Sequence, residues 1–250
     1  MSRTTVIRGF LAVTSMFLLV HSVGLAQHAG DVGVGVSAAG QLKCKPFDPN
    51  SVPCFDPSVA IATLTFYPAS TSWRTSTPGF DANFGDDPAH DYYAMTNDNA
   101  VIDLVAHADM QSALRVNYQS QTIVHAGDYI TLGSDILHRH PVFIVDANDP
   151  AYDPLQTMWS GTFTFRDDIS GYAESAPFTI HLCVLNPNSF VVGDVDGDGT
   201  VGFGDINPFV MLLSNPTAAT VQQRCEGDIN LDGHVDFGDI NPFVALLAGG

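Results

Sequence analysis

Apolar and polar residues alternate in many short segments of this chain between residues 27 and 188. Residues 113–118 and 162–165 show the alternation most clearly. Because successive side chains of a strand point to opposite faces, this pattern is typical of half-buried β-strands. The predicted strands are residues 32–37, 59–67, 101–106, 113–118, 129–132, 142–146, 159–165 and 178–184. Clusters of turn residues separate them, so residues 27–188 are predicted to form a β-sandwich domain.

The pattern changes after residue 190, because the rest of the chain is a tandem repeat. Residues 193–213 recur with few changes as residues 227–247. Within them, residues 203–210 recur without a single change as residues 237–244. A functional pattern that occurs twice in register is more specific than a single occurrence.

Each copy ends in a segment with apolar residues at helical spacing, which predicts helices at 206–213 and 240–247. Helices of about two turns are not stable alone in water. We therefore expect the two helices to pack on each other, with Phe209 and Phe243 at the contact. The predicted fold class is mainly β, with a β-sandwich followed by a small all-α domain over residues 190–250.

Each copy opens with oxygen-bearing residues at alternate positions, followed by a glycine, and has an aspartate at the twelfth position. Ca²⁺ binds about 6–8 oxygens, and a loop that wraps it needs a sharp turn that glycine allows. Residues 194–205 and 228–239 are therefore predicted to bind two calcium ions, with Thr200 and His234 contributing main-chain carbonyls. The candidate ligands are Asp194, Asp196, Asp198, Thr200 and Asp205 in the first loop, and Asp228, Asn230, Asp232, His234 and Asp239 in the second. Asp205 and Asp239 are also predicted to cap the helices that follow.

The repeat differs from an EF-hand, which ends its loop with glutamate and begins with a helix. Pro187 and the absence of helical spacing argue against a helix before the first loop. A duplicated loop–helix unit with aspartate at the twelfth position resembles the dockerin domain, a calcium-dependent module that docks secreted bacterial proteins onto cohesins. The resemblance covers residues 190–250 and implies a cohesin-like partner in an extracellular or cell-surface assembly.

The positions that dockerins use to recognise cohesins differ in this chain. Dockerins usually carry a hydroxyl-bearing pair before the last ligand and basic residues on the following helix. None of the corresponding residues here is basic or hydroxyl-bearing; they are Phe203, Gly204, Val210 and Met211, with Phe237, Gly238, Val244 and Ala245 in the second copy.

Residues 1–26 have the features of a secretory signal peptide. Arg3 and Arg8 precede an apolar run at residues 10–19, and small residues precede the predicted cleavage site. The run is shorter than the ~20 residues needed to cross a bilayer, so export is predicted rather than membrane insertion. The net charge of −18 also argues against nucleic acid and anionic membranes as partners.

Export makes disulfide bonds plausible for the four cysteines. Four cysteines allow three pairings. The favoured pairing joins Cys44 to Cys54 around a proline-rich loop and Cys183 to Cys225 between the β domain and the calcium repeats.

Two histidines form a second candidate metal site. His138 and His140 would lie on one face of an extended segment, and imidazoles at this spacing suit zinc or copper. His28, Asp31 and His181 can join them only if the first and last strands lie beside this segment. The alternative interpretation is structural, with a histidine bonded to the main chain at a strand end.

Four segments of the β domain resemble a group of exported bacterial proteins that also end in dockerin-like repeats. They are residues 28–31, 78–81, 137–141 and 175–180. This resemblance implies a secreted β-sandwich and no particular chemistry.

The sequence names no catalytic residue. It lacks the serine-nucleophile, zinc-protease and phosphate-loop motifs, and Glu174 is the only glutamate of the β domain. These features argue against an enzyme, although a glycoside hydrolase with an aspartate-based site remains one alternative. Another is a polysaccharide-binding module in which Trp73, in a polar loop, contacts the sugar and calcium is only a folding clip.

Overall fold

The computed structural model describes residues 31–45, 61–169, 171–185 and 189–249. The predicted signal segment 1–26, His28 and Cys54 lie outside these residues. The described strands are β1 (Val32–Val36), β2 (Leu42–Lys45), β3 (Ile61–Thr63), β4 (Thr65–Tyr67), β5 (Ser72–Thr75), β6 (Phe80–Asp81), β7 (Ile102–Ala106), β8 (Leu114–Tyr118), β9 (Gln121–Ile123), β10 (Tyr129–Gly133), β11 (His138–Arg139), β12 (Val142–Asp146), β13 (Met158–Asp167) and β14 (Phe178–Cys183). The helices are α1 (Ile206–Ser214), α2 (Val221–Gly227) and α3 (Ile240–Leu247).

The prediction of a mainly β chain is confirmed. Each of the eight predicted strands overlaps an observed strand, with residues 59–67 giving β3 and β4. The pattern missed β2, β5, β6, β9 and β11, each of which has four residues or fewer. Alternation cannot identify a strand that short, because it needs several residues to become visible.

The strands form three sheets, in the orders β11-β6-β1-β2, β10-β7-β13-β14-β3 and β4-β5-β12-β8-β9. In the first of these sheets, β1 pairs in parallel with β6, and β6 pairs antiparallel with β11. This order places three segments that are distant in sequence side by side.

The three sheets share one apolar core. The rings of Phe143 in β12 and Phe163 in β13 meet edge to face at 6.4 Å, and Phe80 in β6 meets Phe165 in β13 in the same way at 5.8 Å. All four rings are fully buried. Burying each such side chain contributes roughly 1.5–3 kcal/mol, so these contacts hold the sheets together.

Helices α1 and α3 confirm the two helices predicted at the ends of the repeats. The rings of Phe209 and Phe243 lie 4.3 Å apart, as expected for helices that pack on each other. Helix α2 was not predicted. Its signal was in the sequence, because Thr220 and Gln223 form a reciprocal capping box at its first turn.

The alternating valines and glycines of β1 have different roles. Val32, Val34 and Val36 are buried in the core, and the glycines allow the ring of Tyr92 to lie directly on the strand. A Cβ on Gly35 would lie 2.5 Å from Cζ of Tyr92 and 2.6 Å from the main-chain oxygen of Tyr93. Strand β1 can therefore be buried on both faces only with glycine at this position.

We expect Gly35→Ala to lower the free energy of unfolding by about 1–3 kcal/mol, because the new methyl group overpacks the contact with Tyr92. Gly85→Ala is the matched control, since a Cβ there meets nothing within 4 Å. Urea unfolding followed by circular dichroism measures both. Equal stabilities for the two variants would contradict the role assigned to Gly35.

Candidate metal centres

The first loop holds its acidic side chains inward through main-chain hydrogen bonds. The carboxylate of Asp194 accepts from the amides of Asp198 and Gly199 at 3.1 and 2.9 Å. The carboxylate of Asp205 accepts from the amides of Asp196 and Gly202 at 2.9 and 2.8 Å. The first and last residues of the loop are thus fixed from opposite sides, and the chain between them curves around their oxygens.

The second loop repeats this arrangement. The carboxylate of Asp228 accepts from the amides of Asp232 and Gly233 at 3.0 and 2.9 Å. That of Asp239 accepts from the amides of Asn230 and Asp236 at 3.0 and 2.9 Å. Every donor lies 34 residues after its counterpart in the first loop, so the four bonds are equivalent even where the residue type differs.

Carboxylate oxygens of Asp194, Asp196 and Asp198 all lie within 4.8 Å of one another, so this group can hold a metal ion. Asp194 and Asp205 are nearly buried, at 4% and 1% exposure. Burying a charged carboxylate such as that of Asp194, with two more acidic groups beside it, is costly unless a cation neutralises it. Oxygen is the ligand atom that calcium prefers, and the residues therefore fit that ion.

The second loop is more deeply buried, because Asp228 and Asp239 have no exposed surface. Burial, together with the negative charges of Asp239 and Asp232, raises the pKa of Asp228 to about 8. Burial also raises the pKa of Asp239. The protein alone therefore disfavours two charged carboxylates here, and a bound cation reverses that preference.

The prediction that Asp205 and Asp239 cap α1 and α3 with their side chains is wrong. Both residues occupy the N-cap position, yet neither side chain makes a capping bond to its helix. Their carboxylates turn back into the loops to accept from loop amides. The same oxygens cannot face the loop interior and the helix, and the loop contacts prevail.

Thr200 and His234 lie at equivalent positions of the two loops. The hydroxyl of Thr200 donates to Asp198 at 2.7 Å, and Nε2 of His234 lies 3.6 Å from Oδ2 of Asp153 in the β region. Metal binding by the main-chain carbonyls of these two residues stays a prediction.

The second loop also packs against the β region, which the sequence did not indicate. The amide of Thr157 donates to the carbonyl of Gly233 at 3.0 Å, and Nε2 of Gln111 donates to the carbonyl of Asp232 at 3.5 Å. Gly233 has φ of +100°, and a Cβ on it would lie 2.1 Å from the carbonyl oxygen of Met158. The two loops are therefore similar in sequence but different in surroundings.

Cys183 and Cys225 lie beneath this contact, in one apolar cluster with Met158. Their Sγ atoms are 3.8 Å apart and both thiols are free, so the predicted Cys183–Cys225 disulfide is not formed. A disulfide needs its sulfurs at about 2.05 Å, and here the two thiols make a buried contact instead. Cys44 is disulfide-bonded, and its predicted partner Cys54 lies outside the described residues.

Trp73 lies in strand β5, not in the predicted polar loop. Its indole packs against the core and donates from Nε1 to the hydroxyl of Tyr152 at 3.2 Å. The ring is half-buried beside Phe66, at 5.1 Å between centroids. Contact with a sugar by Trp73 stays a prediction.

The three candidate histidines that the structure describes lie in two places. His138 and His140 come together at the β11 end of the first sheet, and Asp31 at the start of β1 joins them. His181 lies in β14 of a different sheet, where burial lowers its pKa. Asp31, at the start of the first strand, therefore joins His138 and His140 as the sequence allowed. His181, in the last strand, lies in another sheet.

Comparison with known proteins identifies no relative. No protein-family model, no curated protein and no solved structure matches this chain. None of the helices in the described part of the chain is long and apolar enough to cross a membrane.

The two loop glycines provide a matched test of the contact with the β region. Gly199 and Gly233 both have positive φ, so alanine strains both loops alike. A Cβ on Gly199 meets nothing within 4 Å, whereas one on Gly233 meets Met158. We expect Gly233→Ala to cost about 1–3 kcal/mol more in unfolding free energy than Gly199→Ala.

Thermal unfolding and limited proteolysis measure this difference. If the loop holds the C-terminal repeats on the β region, Gly233→Ala should also speed the proteolytic release of the repeats. Identical cleavage and stability for the two variants would contradict the contact.

Proposed function

We propose that this chain is an exported calcium-binding attachment protein. Its C-terminal repeats bind two calcium ions and join a β-sandwich domain to a partner protein in an extracellular or cell-surface assembly. The observation that carries the proposal is the duplicated loop, in which the same pattern of main-chain hydrogen bonds fixes the first and last aspartates twice. The resemblance of these repeats to dockerins supports the attachment role.

The chemistry of the loops favours calcium over other common ions. The first loop offers only oxygen, which disfavours zinc and copper, because these bind well to nitrogen and sulfur. Mg²⁺ prefers a rigid octahedron that retains several waters, whereas a curved loop with alternating carboxylates suits the larger and more flexible shell of Ca²⁺. A calcium ion in each loop neutralises the buried pair Asp194 and Asp205, or Asp228 and Asp239.

Calorimetric titration of the purified chain should show two calcium ions per molecule. Asp205→Asn and Asp239→Asn each remove one charged ligand from one loop, so each variant should bind a single ion. At free calcium about 100-fold above the dissociation constant, each ion should stabilise the chain by about 2.7 kcal/mol, visible as a higher Tm.

Asp98→Asn is the control, because Asp98 is an exposed residue outside both loops. It should bind two ions as the original chain does. No heat of binding and no change in Tm at millimolar calcium would contradict the proposal.

The partner surface is the exposed apolar side of the repeats. Phe203 and Phe237 are 81% and 82% exposed, an unusual degree for phenylalanine, and they occupy equivalent positions just before α1 and α3. Val210 and Met211 on α1, with Val244 on α3, extend each patch. These are the positions at which dockerins recognise cohesins, so a cohesin-like partner of this chain should present an apolar binding surface.

Each repeat carries the same apolar residues, so we expect both to contribute to attachment. Immobilised chain should capture a partner from the exported proteins of the organism in calcium and release it in chelator. The double variant Phe203→Ser with Phe237→Ser should bind that purified partner more than about 30-fold more weakly, which is the loss of affinity expected when hot-spot residues are removed.

Ile169→Ser is the matched control, since Ile169 is 69% exposed and lies in the β region. It should leave the affinity unchanged. Capture that persists in chelator, or an affinity that the double variant retains, would contradict calcium-dependent attachment through the repeats.

A further inference from the structure

A second group of ligand-type side chains lies at one end of the first sheet, far from the repeats in sequence. Asp31 precedes β1, His138 begins β11, and His140 follows it. The pairing of β6 with both strands brings them together, and their ligand atoms all lie within 4.8 Å. Nothing in the calcium proposal uses these residues.

The distances match those of a bound transition-metal ion. Nε2 of His138 lies 3.0 Å from Nε2 of His140 and 3.4 Å from Oδ2 of Asp31, and Nε2 of His140 lies 3.7 Å from the same oxygen. In a tetrahedral zinc site with bonds of ~2.0–2.2 Å, neighbouring ligand atoms are about 3.3 Å apart. A point about 2.0 Å from all three atoms therefore exists without moving any side chain.

A main-chain carbonyl behind one ring and a carboxylate behind the other favour hydrogen on Nδ1, which leaves the electron pairs of Nε2 directed toward that point. Nδ1 of His140 lies 3.0 Å from the main-chain carbonyl of Ser76, which can only accept, so this nitrogen donates. Nδ1 of His138 faces Oδ2 of Asp81 at 3.7 Å, another group that accepts. With hydrogen on Nδ1, each neutral ring presents a lone pair on Nε2.

Asp31 adds a third electron pair. Its side chain is 2% exposed, and Oδ1 accepts from the amide of Gly79 at 3.0 Å. Oδ2 is buried and makes no hydrogen bond among the described residues. A buried carboxylate oxygen facing two imidazole nitrogens is stabilised by a cation between them.

The surroundings are built for this arrangement. Asp81 and Ser76 lie behind the rings as the outer partners that metal-binding histidines usually have. Gly79 makes room, because a Cβ there would lie 2.5 Å from Cε1 of His140 and 2.7 Å from Oδ1 of Asp31. The rings remain about one-third exposed, at 32% and 35%, which gives an ion a path from solvent.

We propose that Asp31, His138 and His140 bind one divalent transition-metal ion, with zinc as the expected ion. The described residues supply three ligands, which leaves a position for water or a further group. The ion joins the start of β1 to β11 across β6 and so stabilises this end of the sheet.

Titration of the untagged chain with zinc, in saturating calcium, tests the proposal. We expect one zinc ion per chain, a higher Tm in zinc, and visible absorption typical of tetrahedral coordination when cobalt replaces zinc. The double variant His138→Ala with His140→Ala should bind zinc more than about 100-fold more weakly. Loss of an outer partner alone weakens metal affinity by about 10–100-fold, and loss of two ligands should weaken it more. Asp81→Asn should weaken it by about 10–100-fold.

His125→Ala is the matched control, because His125 is an exposed histidine with a 76% exposed side chain. It should bind zinc as the original chain does. Circular dichroism and the response to calcium check that each variant is folded. The absence of zinc uptake near millimolar zinc would overturn the proposal.

Zinc binding that survives the double histidine variant would place the ion elsewhere and would also overturn the proposal. So would an Asp81→Asn variant with unchanged affinity, since the rings would then not depend on the partner behind them. The ligands differ from those of the calcium loops, so failure of either proposal leaves the other test intact.

Discussion

The C-terminal quarter of this protein depends on how its buried carboxylates are neutralised. Asp205, Asp228 and Asp239 are almost completely buried, and each accepts hydrogen bonds from the amides of its own loop. Amide dipoles reduce the cost of burying negative charge but do not remove it when two or three carboxylates share a loop. A cation bound in the loop would supply the missing charge and would couple folding of the repeats to binding of the ion.

The two repeats share a sequence pattern and have different structural roles. The first loop faces solvent through Asp196, Gly197 and Asp198, whereas the second lies against β13 through Gly233. Ordering of the second loop therefore also determines how the repeats sit on the β region. Met158, Cys183 and Cys225 pack in one buried cluster at the same contact, so a proposed ion in the second loop would act on more of the molecule than the loop itself.

The two proposed metal sites differ in chemistry and in the way the fold forms them. The calcium loops are local: all ligands of a loop lie within twelve residues, and oxygen is their common atom. The site of Asp31, His138 and His140 combines nitrogen with oxygen and is assembled by strand pairing across more than one hundred residues of chain. Hard and borderline ions can thus occupy the two places without competing strongly.

The sequence by itself determined the local features of this protein. Alternation located eight strands, helical spacing located α1 and α3, and the repeated carboxylates located the two loops, because each signal arises from residues close together in the chain. It missed β6 and β11, which have two residues each and exist only through pairing with their neighbours. Tertiary structure alone decided that Asp31 lies beside His138, that Trp73 is held by Tyr152, that Cys183 and Cys225 remain thiols, and that the second loop packs against the β region. Contacts of this kind depend on sheet order and on the distance between atoms, and neither is encoded in the spacing of residues along the chain.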